Sequence, residues 1–233
     1  KASYCEGVVT KVLKASEKRI EPKDACYLST SPWQILDWDY ELQSKSEIVA
    51  ECFRQQHLDI KVLSCKTDGK QFYYRNKVEY ALYYDHEDEQ IHLAFHKRGS
   101  HGKIPISQSS IERPEIFAHA SKIVAELNTK HEEARKYQSL LLRCNQAGEI
   151  SGNLFVNGQP HPQMPALKDT LLGREYSYSP NGFFQINLPV YEMVLKDIQD
   201  QIGNGKLLDL YAGVGSIGLS IAKDDQALTL VEI

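Results

Sequence analysis

The sequence predicts a mixed α+β chain that closes on the start of a parallel-sheet nucleotide-binding unit. Three observations carry this. Residues 58–110 hold alternating, aromatic and β-branched runs of the strand type; residues 39–56 and 114–127 show apolar residues at helical spacing; and residues 206–233 read as strand, glycine loop, helix, strand. The runs KLLDLY and ALTLVEI in that last segment are short and almost wholly apolar, as strands buried on both faces of a parallel sheet are.

Composition sets the outer bounds. With 233 residues, 42% hydrophobic and 25% charged, the chain has the make-up of a soluble globular protein of one or two domains, which excludes disordered and collagen-like classes. No stretch approaches the roughly 20 apolar residues that a bilayer requires, and the opening KASYCEG has no leader-like core, so no membrane association and a cytoplasmic location are expected. The first residue is not Met, which points to a trimmed or excised piece. A net charge of -4 argues weakly against broad polyanion binding, yet the charge is uneven: Lys1, Lys11, Lys14, Lys18 and Arg19 outweigh Glu6 and Glu17, while Asp85, Glu87, Asp88 and Glu89 make an acidic turn. Cys5, Cys26, Cys52, Cys65 and Cys144 form no CxxC pair and read as reduced thiols.

Element by element, EGVVTKVL at residues 6–13 reads as a strand without a nearby partner, and the two prolines within 21–33 mark a loop. The helix over 39–56 carries Ile48, Val49, Cys52 and Phe53 as its apolar set. VEYALYYD and QIHLAFH flank the acidic turn as a hairpin. Pro114 opens a helix with the stripe Ile116, Phe117, Ala120, Ile123, Val124 and Leu127. SLLLRCN and GEISGNLFVN make a second hairpin about Gln146-Ala147-Gly148. Pro189 opens a further helix with the stripe Val190, Met193, Val194, Ile198 and Ile202, which Gly203 and Gly205 terminate.

Gly213, Gly215 and Gly218 satisfy G-x-G-x-x-G between strand and helix, and Glu232 ends the next strand, 19 residues beyond Gly213. Such glycines let a ligand approach the backbone, and an acid at that place accepts hydrogen bonds from two ribose hydroxyls. A dinucleotide and S-adenosylmethionine both suit this geometry. Asp209 in the first strand favours S-adenosylmethionine, because a further carboxylate attracts a sulfonium cation and repels a pyrophosphate.

SPNGFFQIN at 179–187 followed by LLDLYAGVGSIGL at 207–219 resembles the RNA 5-methyluridine methyltransferases. SPWQ, YELQSKSEIV, FYYRNKVEYAL, LAFHKRGSHGKIPI and LLLRCNQAGEISGNLFVN extend the likeness over residues 19–233. The resemblance implies the tail of an OB-like β-barrel at 1–22, an α+β central domain at 23–180, and the start of a Rossmann-like α/β class I methyltransferase domain at 181–233. It also implies that the helix over 39–56 can pack on the C-terminal domain. Gln185, Tyr211, Ser216 and Glu232 would contact S-adenosylmethionine, with Asp209, Gly213 and Gly215 shaping the pocket. Plain structural roles stand beside these: Gln185 capping the next helix together with Asn187, Tyr211 in the sheet core, Ser216 as a helix N-terminal hydroxyl. Glu232 is harder to place without a ligand.

The sequence departs from the family in two respects. Many relatives bind an iron–sulfur cluster through four Cys, three spaced C-x5-C-x2-C; here YLSTSPWQ follows Cys26, so no cluster and no other metal are expected. The family also uses a cysteine thiolate that adds to carbon 6 of uracil and a carboxylate that removes the carbon 5 proton, both downstream of the second strand. No cysteine here matches, so no catalytic residue is assigned and this chain by itself is expected to be inactive. The RNA partner, ribosomal or transfer, would meet the basic loop His96, Lys97, Arg98, His101 and Lys103 and stack on Tyr73, Tyr74, Tyr80, Tyr83 or Tyr84. A monomer is expected. An NAD-dependent oxidoreductase and a non-catalytic RNA-binding module remain as the alternatives.

Overall fold

The computed structural model describes residues 7, 9–130, 136–161 and 165–233. A short helix α1 (Tyr27–Thr30) and a 3-10 turn (Pro32–Ile35) lead into α2 (Trp38–Gln55), whose first turn is capped by Asp37 accepting the Tyr40 N–H at 3.2 Å. The central body follows: β1 (Lys77–Asp85), β2 (Gln90–His96), β3 (Lys103–Pro105), α3 (Pro114–Thr129), β4 (Tyr137–Cys144), β5 (Ile150–Val156) and β6 (Gln159–His161). Its strands form one antiparallel sheet in the order β3-β2-β1-β4-β5-β6. Both hairpins of the sequence reading are present, with Asp85 opposite Gln90 at the acidic turn and Cys144 opposite Ile150 at the second.

Period decides which residues enter the core. On β1 and β4 the alternate residues Val78, Tyr80, Leu82, Leu140 and Leu142 face α3, which answers with Ile116, Ala120, Val124 and Leu127, one residue every three or four. Pro114 at the first helical position loses no hydrogen bond that the helix would have made. Tyr80 is wholly buried, its hydroxyl donating to Glu112 at 2.6 Å, which removes it from the residues able to stack on a base.

A hairpin of β7 (Leu167–Leu171) and β8 (Arg174–Tyr178) precedes α4 (Leu188–Gln201), and the chain ends with β9 (Leu207–Leu210), a one-turn helix α5 (Gly218–Ile221) and β10 (Leu228–Val231). β9 and β10 pair in parallel. A second core unites these elements through Leu167, Leu171, Tyr176, Tyr178, Phe184, Leu188, Leu195 and Ile221.

Four expectations need correction. Residues 9–13 form no strand, and Val9 and Leu13 are 80% and 87% exposed, because no strand among the described residues takes up their backbone hydrogen bonds. Lys1, Cys5 and Glu6 lie outside the described residues. On α2, Ile48, Val49 and Cys52 are exposed; the helix makes its buried contacts near its start, through Glu41. On α4 the buried stripe is Leu188, Tyr191, Leu195, Ile198 and Ile202, so Val194 faces outward and Leu195 replaces it. The helical run after the glycine loop is one turn long, since Ala222 turns to an extended conformation.

Candidate cofactor-binding site

The site begins where β9 ends. Tyr211 leaves the strand with φ of 58°, a left-handed conformation unusual for an aromatic residue, and is 80% exposed, so it is not a sheet-core residue. Gly213 and Gly215 continue the turn with φ of 57° and 74°. A Cβ on Gly215 would lie 2.8 Å from Leu219 Cδ1, and one on Gly218 would lie 2.7 Å from Leu230 Cδ2 and 3.1 Å from Asp209 Cβ, so these neighbours would have to shift, whereas Gly213 faces open space and is favoured by its φ alone.

Two carboxylates fasten the loop to the strands. Asp209 Oδ2 accepts the Gly218 N–H at 2.8 Å, and Glu232 Oε2 accepts the Gly213 N–H at 2.7 Å across the mouth of the β9–β10 pair. Ser216 shares a hydrogen bond of 2.8 Å with the Tyr191 hydroxyl on α4, and burial raises the pKa of that phenol. Tyr211, Gly213, Gly215 and Ser216 thus lie on one loop, and Asp209 from β9 and Glu232 from the end of β10 reach it through hydrogen bonds to its Gly218 and Gly213 N–H groups.

Gln185 sits apart from that loop, on the segment between β8 and α4, and its side chain has no hydrogen-bond partner among the described residues. Asn187, not Gln185, caps α4, accepting the Val190 N–H at 3.4 Å. The segment is tied to the polar side of the central sheet. Lys77 Nζ donates to the carbonyls of Asn181 and Gly182, Arg143 Nη2 donates to Phe184 O at 3.0 Å, Asn76 Nδ2 donates to Gln185 O at 3.1 Å, and the Asn76 N–H donates to Ile186 O at 2.9 Å. Asn153 adds a bond of 2.8 Å to the Asn181 side chain. Phe183, at the tip, is 84% exposed.

The sequence reading missed these ties. Their signal was an Arg inside the apolar run LLLRC: arginine is rarely buried unless something recruits it, and Arg143 is 1% exposed over the Tyr178 ring, with burial lowering its pKa. In the basic loop, Lys97 and Arg98 are exposed, but Lys103 is committed, donating to Leu82 O at 2.7 Å.

A strand, a glycine turn, a helix start and a parallel second strand with an acid latched just beyond it make up one β-turn-helix-β unit of the α/β class. Comparison with known proteins narrows the class. Over its full length the chain is 24% identical to the 23S rRNA (uracil(1939)-C(5))-methyltransferase RlmD of Pseudoalteromonas translucida, and over 99% of its length it is 25% identical to an uncharacterized RNA methyltransferase of Lactiplantibacillus plantarum. It spans 60% and 62% of those relatives. The crystal structure of the Pyrococcus abyssi tRNA (uracil-54, C5)-methyltransferase in complex with S-adenosyl-L-homocysteine superposes on 95% of the chain, and on 61% of that protein, with a TM-score of 0.68 at 18% identity. No protein-family profile matches the chain. In sequence and in fold, this chain resembles the RNA uracil-C5 methyltransferases.

Proposed function

We propose that the protein containing this chain transfers a methyl group from S-adenosylmethionine to carbon 5 of a uridine in ribosomal or transfer RNA. The observation that carries the reading is the latch between Glu232 and the Gly213 N–H: it holds an acid, with its second oxygen still available, beside a turn whose backbone is open to a ligand at Gly213. That is the arrangement a ribose diol needs. Gly213, Gly215 and Ser216 would line the adenosyl end, Tyr211 would offer its exposed ring, and Gln185 its uncommitted amide. The bound cofactor supplies an electrophilic methyl group; these residues bind and orient it. The kinship with RNA uracil-C5 methyltransferases supports uracil carbon 5 as the acceptor, and no residue of this chain is assigned as nucleophile or base.

The division into a barrel tail at 1–22, a central domain at 23–180 and a Rossmann-like methyltransferase start at 181–233 belongs to the same proposal, as do a cytoplasmic monomer and the absence of an iron–sulfur cluster. The donor set does not fit a cluster: among the described residues Cys26 and Cys144 are buried and Cys52 exposed, and no three cysteines converge. Among the described residues, no helix is long and apolar enough to cross a membrane.

Calorimetry on the full-length protein tests the reading. Binding of S-adenosylhomocysteine with no binding of NAD is expected, together with tritium release from carbon 5-labelled uridine in ribosomal or transfer RNA. Binding of NAD in place of S-adenosylhomocysteine would overturn it.

A further inference from the structure

Beyond the glycine loop, a separate cavity of about 440 Å3 opens where the end of β4 meets the starts of α3 and α4. Its size falls within the roughly 300–1,000 Å3 of small-ligand pockets. None of Asp209, Tyr211, Gly213, Gly215, Ser216 or Glu232 lines it, so it is not the cofactor site; yet one wall is Ile186–Pro189, the residues directly after Gln185. The other walls bring Lys70, Tyr73, Tyr74, Asn76 and Arg113 together.

Several features of this cavity suit a nucleotide. Tyr73 is held at φ of 58° with its N–H bonded to Ser110 O at 2.8 Å and is 42% exposed, and Lys23 Nζ lies 4.8 Å from its ring centroid, so a base would stack on the other face. Asn76 is 96% buried, yet its Oδ1 has no hydrogen-bond partner among the described residues, while its Nδ2 and N–H are spent on the Gln185–Ile186 backbone. α3 and α4, of 16 and 14 residues, both begin at this cavity, adding the positive ends of two helix dipoles to Lys70 and Arg113. Asp68 and Glu115 also line it, and Arg113 already donates to Glu115 at 2.9 Å and to Asn145 O at 2.6 Å, so the cavity is no general sink for polyanions. An aromatic face, an unpaired amide oxygen and a limited positive field match one base with its phosphate.

We infer that this cavity takes a single unpaired nucleotide of the RNA substrate, next to the uridine presented to the cofactor. The base stacks on Tyr73, and its phosphate lies toward Lys70 and Arg113. This rests on the methyltransferase reading above.

The test uses the full-length protein, S-adenosylhomocysteine, and single-stranded heptanucleotides of oligouridine and of mixed sequence. Tyr73→Ala is expected to weaken RNA binding by about tenfold, the order of one lost base–aromatic stack, and Lys70→Ala by a few-fold, while S-adenosylhomocysteine affinity stays within about twofold. Tyr73→Phe, which keeps the ring, is expected to retain wild-type RNA affinity. An oligonucleotide carrying 4-thiouridine should photo-crosslink within residues 70–76. Wild-type protein that binds S-adenosylhomocysteine but shows unchanged RNA affinity in Tyr73→Ala and Lys70→Ala, or that loses as much in Tyr73→Phe as in Tyr73→Ala, overturns the inference and leaves the methyltransferase reading intact. Wild-type protein that binds no S-adenosylhomocysteine overturns the methyltransferase reading instead.

Discussion

The two cores of this molecule solve burial differently. In the first, antiparallel neighbours close their hydrogen-bond ladders through short turns, and α3 seals one face, leaving Tyr80, Ile116, Leu142 and Cys144 wholly buried. In the second, β9 and β10 pair in parallel and leave Leu208, Leu210 and Leu230 58%, 56% and 40% exposed. Parallel strands depend on helices laid across both faces. Here the burial in that region comes from α4 and the β7–β8 hairpin, through Leu195, Leu171, Tyr176 and Phe184. The first region is therefore the more completely packed, while the parallel pair leaves apolar side chains at the surface beside the glycine loop.

The sharpest break of that contrast is a pair of truncations. Leu142→Ala should destabilise the protein by about 2–5 kcal/mol in denaturant unfolding, whereas Leu210→Ala, at an exposed position, should change it by less than about 1 kcal/mol. Equal losses would mean that the parallel pair is as tightly packed as the sheet. Next in size is Gly218→Ala. The added methyl meets Leu230 and the Asp209 carboxylate, an overpacking of about 1–3 kcal/mol that should fall on the glycine loop, lowering S-adenosylhomocysteine affinity about tenfold or more in calorimetry. Retained affinity would show that the loop tolerates displacement.

Arg143→Met sharpens the comparison at the junction of the two regions. Two nitrogens of this buried guanidinium, Nε and Nη1, lack partners among the described residues, so an apolar replacement should leave global stability within about 1 kcal/mol. Amide exchange across residues 181–186 should nonetheless rise, because Phe184 O loses its donor; exchange at the wild-type rate would deny Arg143 a part in holding the segment.

The smallest effect is chemical. Burial pushes the thiols of Cys26 and Cys144 above the ordinary range, so both stay protonated at mildly alkaline pH. Iodoacetamide should therefore modify exposed Cys52 well before either, as peptide mass mapping would show. The unfolded thiols ionise first, so this contribution to stability is complete below the ordinary thiol range and is lost as pH rises from that range through the raised values of the folded protein.

Much of the first core was legible because its pattern is redundant. The α3 stripe and the two hairpins each show a clean period, and their turns carry Gly148 or acidic residues. The glycine loop was legible from residue type, since few arrangements need three glycines at that spacing ahead of an acid. What escaped lay where local pattern and tertiary setting part. Val194 and Leu195 are adjacent apolar residues on α4, and only the position of the β7–β8 hairpin decides which one faces inward. The VVTKVL run has the composition of a strand, but a strand requires a partner and residues 9–13 have none among the described residues. Tyr80 reads as a residue able to stack on a base until the sheet places it inside, and only the sheet shows that Arg143 is buried.

The ties on residues 181–186 bear on how such a site can change over time. Lys77, Arg143 and Asn76 grip main-chain carbonyls of Asn181, Gly182, Phe184 and Gln185, atoms that every amino acid supplies in the same place. Substituting Phe183 or Gln185 therefore leaves the anchorage untouched while altering what the segment shows to a ligand. The scaffold holds the address constant and leaves the message free, so ligand preference can drift through single substitutions at positions 183 and 185 without passing through an unfolded intermediate.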